Sequence, residues 1–228
     1  MNGQSPSIGG RQRRLVLFVD RQIVRLTHHW LAALNLLIGG YLLLPILAPV
    51  LMANGAEQAG RMIYVLYAPA CHQLPQRSFF LYGPQLTYTL DELWALGEVN
   101  SNNPLVLKQY LGSPQVGFKM AMCARDIALY GGLLIGGLLF GILRKHIRPI
   151  SLLVYALFLL PLVVDGGTQL IGWRESTWVL RLITGLIAGL GTIWLLYPHV
   201  EDAFKEIRWQ AEGQIDKAQQ PSKPQSVD

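Results

Sequence analysis

Cys71 and Cys123 are the only cysteines in the chain, and His72 directly follows the first. Two thiolates, an imidazole and a carboxylate from Asp126 or Asp165 make a chemically adequate ligand set for zinc or copper. The same residues serve three other chemistries. A Cys71–Cys123 disulfide closes a 53-residue loop, worth roughly 4 kcal/mol on the chain-entropy account. A redox-active thiol pair gains from His72 and nearby arginines, because positive charge lowers a thiol pKa. Two unrelated free thiols are the fourth reading. Spacing does not choose among them: adjacent Cys-His is not a standard chelating pair, and the chain has no CxxC or HxxxH. For a catalytic site, His72 is the candidate general acid or base and the arginines are the charge stabilisers.

A second set comprises Arg77, Arg125 and Arg181 with Asp126, Asp165 and Gln169. Guanidinium forks hold phosphate or carboxylate through paired hydrogen bonds. These arginines suit an anionic small molecule or a lipid phosphate, with Asp165 and Gln169 orienting neighbouring groups. The competing reading is a buried salt-bridge network that fixes helix register.

The elements that must position these residues follow from composition. Of 228 residues, 51% are hydrophobic and 14% charged, against about 25% charged in soluble domains. Four stretches lack Asp, Glu, Lys and Arg altogether: Leu26–Ala56, Ile127–Leu143, Pro149–Val164 and Leu182–Val200, of 31, 17, 16 and 19 residues. Such blocks exclude a soluble globular domain, a coiled coil and a disordered chain. They predict an all-α polytopic membrane protein with about four transmembrane helices: Trp30–Met52, Cys123–Leu143, Ile150–Gln169 and Val179–Tyr197. The expected organisation is a basic amphipathic N-terminus (1–29), a transmembrane domain (30–200) with an outer lid of short helices (53–122), and a polar, disordered tail (201–228).

Positive charge sets the orientation. With both termini cytoplasmic, the inner segments hold twelve Lys and Arg and the outer segments five. The Arg144-Lys145-His146-Ile147-Arg148 loop is the most decisive piece. Leu15, Val19, Ile23 and Leu26, beside Arg14, Arg21 and Arg25, read as a helix lying on the inner leaflet, where anionic lipid answers the net charge of +5. The apolar run is too long and starts too late for a cleaved signal peptide. No basic patch is interleaved with aromatics, so nucleic acid is not an expected partner.

Length also places the polar residues. A span needs roughly 20 residues, so the runs of 17 and 16 must borrow from their flanks. The Arg144–Arg148 loop belongs at the headgroups, so borrowing is on the outer side. It draws in Cys123, Arg125 and Asp126 on one helix and Asp165–Gln169 on the next, while Arg181 opens the fourth. Charged groups facing lipid are costly. They should face inward and pair, Asp126 or Asp165 with Arg125 or Arg181. In the lid, Thr89 with Glu92 predicts a capping box, and Pro104 suits a helix start. Gly132/Gly136, Gly137/Gly141 and Gly185/Gly189 have the spacing of close helix packing, within the bundle or in an oligomer. His28, His29 and the tryptophans at 30, 173, 178 and 194 suit the membrane interface.

Four motifs in order resemble a family of small bacterial and archaeal membrane proteins, catalogued as a domain of unknown function. They are Cys71-His72-Gln73-x-Pro75-x-Arg77-Ser78-Phe79; Gly117-Phe118-Lys119-x-Ala121-x-Cys123-x-Arg125-Asp126-x-Ala128-x-Tyr130; Asp165-Gly166-x-x-Gln169; and Arg181-x-x-Thr184-Gly185. The resemblance runs from about Ile63 to Leu196. It implies an all-helical membrane protein and brings no activity with it. The function expected from the residues is an outer-face site for an anionic small molecule, lipid head group or metal ion. The rivals are a non-catalytic accessory subunit of a membrane complex, held to a membrane-protein partner, and a transporter, the latter weakened by the lack of an inverted repeat.

Overall fold

In hydrocarbon a backbone must satisfy its own N–H and C=O groups, and an uninterrupted helix does so within one segment. The apolar runs fold accordingly in the computed structural model, which describes residues 10–219. Among the described residues, four helices are long and apolar enough to cross a membrane. They are α1 (Gly10–Ala53), α5 (Ala124–Leu143), α6 (Leu152–Leu170) and α7 (Trp178–Gln219). Between α1 and α5 come α2 (Glu57–Tyr67), β1 (Ser78–Leu81), α3 (Leu90–Ala95), α4 (Pro104–Gln109), β2 (Gly112–Ser113) and β3 (Gly117–Cys123).

The long helices run up and down. α5 and α1 both pack on α7, and α6 packs mainly on α7. Near one end, Trp30, Phe140, Ile193 and Tyr197 form a buried cluster. Near the other, Ala48 and Met52 pack with Ile63, Tyr64, Tyr67, Ala121 and Met122, joining α1 to the lid. α5 and α7 approach closely because glycines line the contact. A Cβ on Gly185 would lie 2.6 Å from the Arg125 carbonyl oxygen, and one on Gly189 2.3 Å from that of Leu129. The glycine spacings at 132/136 and 185/189 thus serve packing inside this bundle.

α6 has an inverted pattern. Its buried residues are Asp165 and Gln169, while Leu153, Leu157, Val163 and Val164 are exposed. In water this would be untenable. In lipid it is the low-energy arrangement, since hydrocarbon solvates the leucines and the carboxylate turns to the protein.

The lid departs from a set of short helices. Its centre is a three-stranded antiparallel sheet in the order β1-β3-β2, pairing Phe80 with Lys119 and Gly112 with Phe118. The short helices are where the capping signals put them. Thr89 and Glu92 form the reciprocal capping box of α3, and Asn103 caps α4 with Pro104 in its first turn. The lid packs directly on α1: a Cβ on Gly60 would lie 2.8 Å from the Met52 sulfur.

The ends away from the lid also differ from expectation. Residues 10–29 form no separate surface helix but continue α1 without a break, and α7 continues past Arg208 to Gln219. At 1.5 Å per residue, α1 is about 66 Å long, twice the hydrocarbon thickness. The two projecting ends support each other. Trp30 Nε1 donates to Glu201 (2.9 Å), and Arg208 meets His28 Nδ1 at 3.0 Å. Trp30 is therefore a buried packing residue, not a belt residue. Residues 201–219 are helical, where disorder was expected; the remainder of that tail, 220–228, and the first nine residues lie outside the described residues.

Candidate functional site

The lid end gathers the C-terminal turns of α6, the N-terminal turns of α5 and α7, and the loops around Cys71 and Arg174. The motif residues there divide into two adjoining groups rather than one.

The first group is a network of arginines. α6 presents Asp165 and Gln169 one turn apart on its buried face. The Asp165 carboxylate, 2% exposed, accepts from Arg125 and Ser176 (2.9 Å) on one oxygen and from Arg174 (2.8 Å) on the other. Gln169 bridges the halves: its oxygen accepts from Arg125 (3.1 Å) and its amide donates to Glu175 (2.7 Å). Glu175 also accepts from Arg181 (2.8 Å) and from Arg77 at 2.9 and 3.3 Å. Arg181, 2% exposed, donates in addition to the Gln76 carbonyl (3.1 Å), which ties α7 to the loop before β1. Four guanidinium groups thus face two carboxylates. The Nε–H groups of Arg125 and Arg181 are buried and have no hydrogen-bond partner among the described residues. Gly166 leaves the space that Arg125 enters, since a Cβ there would sit 3.3 Å from its Nη1.

The second group is built on sulfur. Cys71 Sγ, Cys123 Sγ and an Asp126 carboxylate oxygen lie within 4.8 Å of one another. Both cysteines are free. Cys123 is the N-cap residue of α5, and Asp126 stands in that helix's first turn. Cys71 is buried in the turn after α2, where Gln73 adopts a positive φ of 51°. The Gln73 amide pins that turn by donating to the Tyr64 and Ala121 carbonyls, both at 2.9 Å. Cys71 Sγ accepts backbone N–H groups from Cys123 (3.3 Å) and Gln73 (3.5 Å). The Cys123 thiol donating to it pulls Cys71 below the ordinary thiol value, and the backbone N–H of Gln73 adds to this. The same sharing, with burial, pushes Cys123 well up.

Lys119 reaches the turn that carries Cys71. It is fully buried in β3, donates to the Gln73 carbonyl and to that of Lys108 (3.0 Å), and is held down to about 7 by burial. Tyr64 donates to the Lys119 carbonyl from α2. The two groups adjoin at the start of α5, where Arg125 and Asp126 are consecutive residues.

Asp126 therefore belongs with the cysteines rather than with the arginines, and the pairing left open between Asp126 and Asp165 goes to Asp165. His72 is exposed and stands outside the sulfur group. Arg174, Glu175 and Ser176 were not singled out from sequence, yet they complete the arginine network. Their signal was an adjacent Arg-Glu pair followed by Ser in the short loop between two apolar spans. Lys119 had a weaker one, a single charge inside Gly117-Phe-Lys-Met-Ala-Met-Cys123.

Residues 115–195 match the model of a family described as "Predicted membrane protein (DUF2085)". That stretch holds Lys119, Cys123, Arg125, Asp126, Asp165, Gln169, Arg174–Ser176 and Arg181. An uncharacterized protein of Methanocaldococcus jannaschii is 33% identical over 138 residues, 60% of this chain and 67% of the relative. An uncharacterized protein of Methanothermobacter thermautotrophicus is 36% identical over 75 residues, 33% of this chain and 68% of the relative. No solved structure matches. Four apolar helices, a polar cluster turned away from lipid and these similarities lead to one assignment: the chain is a multi-pass membrane protein belonging to the family described as "Predicted membrane protein (DUF2085)".

Proposed function

We propose that the lid end is a recognition site for an anionic group, a phosphate or carboxylate carried by a small molecule or a lipid head group, on the outer face of the cytoplasmic membrane. The observation that carries the reading is the charge balance of the arginine network. Arg77, Arg125, Arg174 and Arg181 meet only Asp165 and Glu175 within it, and two buried Nε–H donors stand without partners. Each arginine shares its carboxylate with a second one, so the network keeps a net positive charge that an anion would answer. Arg77 and Arg174 remain partly exposed, at 30% and 41% of their side-chain surface, and give an arriving anion its first contacts. Glu175, 53% exposed, is the group an anion would displace. The outer placement rests on the positive residues flanking the opposite ends of the spans.

The test is a thermal-shift and tryptophan-fluorescence titration of the purified protein in detergent. The ligands are inorganic phosphate, a simple carboxylate and short-chain phosphatidylglycerol, with phosphatidylcholine as the zwitterionic control. Saturable stabilisation is expected, lost in Arg181→Gln and strengthened in Glu175→Gln, which removes the internal competitor. A flat response to every anion, with the protein folded, returns the network to a structural role. Labelling of a cysteine placed at the exposed lid residue Leu105 in intact cells checks the orientation.

A further inference from the structure

We propose that Cys71, Cys123 and Asp126 hold a zinc ion with one coordination position left open, at the junction of the lid and α5. The proposal does not depend on the arginine reading.

Three ligand atoms from two separate parts of the chain converge within 4.8 Å. Tetrahedral zinc, with Zn–S near 2.3 Å and Zn–O near 2.0–2.2 Å, needs ligand atoms about 3.5–3.8 Å apart. The ligand atoms therefore need to close by at most about 1 Å, within the reach of side-chain rotation. The scaffold is fixed before any ion arrives. Gln73 ties the Cys71 turn to α2 and β3, and Cys123, the N-cap residue that ends β3, leads directly into the first turn of α5, which carries Asp126. Backbone N–H groups already point at Cys71 Sγ, the outer-shell arrangement that orients a thiolate ligand.

Ligand chemistry selects the ion. Two thiolates and a carboxylate fit borderline-soft zinc. An all-oxygen set would favour magnesium or calcium, and copper(I) would take sulfur without the carboxylate. Three protein ligands plus one free position is the coordination of zinc sites that bind a further group rather than merely brace a fold. Three anionic ligands on a dication leave one negative charge, and Arg125, the residue before Asp126, brings positive charge to the same helix end. The lone exposed imidazole, His72, is not required.

The experiment uses the whole protein, purified in detergent with a thiol reductant and no chelator. Plasma mass spectrometry should give one zinc per chain, and zinc absorption-edge spectroscopy should show two sulfur scatterers and lighter atoms in the first shell. Cys71→Ser, Cys123→Ser and Asp126→Ala should each reduce bound zinc to background, while His72→Ala keeps it. If those variants fail to fold, the wild type still decides. Stripping zinc with a chelator should expose two thiols to iodoacetamide, re-adding zinc should protect them, and cobalt in its place should show thiolate charge-transfer bands. Three results overturn the proposal: free thiols with no zinc retained or taken up; a Cys71–Cys123 disulfide in protein isolated without reductant and unchanged by zinc; or a first shell without sulfur.

Discussion

Replacing Asp165 by Asn tests whether the polar cluster is held as tightly as its burial implies. The carboxylate is 2% exposed and accepts three hydrogen bonds, from Arg125, Arg174 and Ser176. Asn keeps the shape and removes the charge. One of its two terminal atoms becomes an N–H₂ donor, so at least one guanidinium must face a donor instead of an acceptor. The Arg174 side chain is 41% exposed and can turn to water, so its share is under about 1 kcal/mol. Arg125 is only 21% exposed, and its other acceptor is Gln169. Orphaning one partner of a buried pair costs about 3–5 kcal/mol. With Gln169 retained, the loss should be about 2–4 kcal/mol, a 30- to 1000-fold fall in the folded-to-unfolded ratio. The assay is reversible unfolding in mixed micelles with linear extrapolation. The companion variant Arg125→Met with Asp165→Asn should be more stable than the two single losses add up to, by at least about 1 kcal/mol. A cost under about 0.5 kcal/mol for Asp165→Asn, or strict additivity in the double variant, refutes the picture of a desolvated, coupled pair.

Three further outcomes follow from the same structure. Gly185→Val and Gly189→Val place a Cβ 2.6 and 2.3 Å from backbone oxygens of α5 and should each lose at least about 2–3 kcal/mol by thermal unfolding, whereas Gly131→Ala meets nothing within 4 Å and should be neutral or gain up to about 1 kcal/mol. Lys119, held down to about 7 by burial, binds a proton less readily folded than unfolded. Its contribution to stability therefore rises between pH 7 and about 10.5, by on the order of 4 kcal/mol, and Lys119→Met should remove that slope; identical pH profiles for the two proteins would show that the lysine is hydrated. Trp30→Phe deletes the donor to the buried Glu201 and should cost about 1–3 kcal/mol, with proteolysis of the 201–219 segment accelerated; an unchanged cleavage rate would show that this contact does not order the end of α7.

Much of the site can be read in the order of the residues. The short charge-free runs force Arg125, Asp126, Asp165 and Gln169 to be drawn into helices, and α6 turns its two polar residues inward as the cost of exposing them to lipid requires. Partners were less legible. Asp126 lies one residue beyond Arg125, but the helical turn sends it to Cys71 and Cys123 while Arg125 reaches Asp165. The loop residue Glu175 serves Arg77, Arg181 and Gln169 at once, and no periodicity marks a loop residue as a hub. The sheet was also hidden. Its strand pairing joins Phe80 to Lys119 across a long connection, and a short strand gains its hydrogen bonds only from its neighbour.

By itself, the sequence determined that this chain lives in a bilayer, which four runs cross, and at which end its charged residues gather. Those are consequences of solvation, and the transfer cost of a side chain depends on its own chemistry and its depth. The tertiary structure alone decided which charge meets which, that the lid closes over the bundle through a sheet, and that two cysteines far apart in the chain stand beside Asp126. These depend on convergence within a few ångströms, and coulombic and hydrogen-bond energies fall away over that same distance.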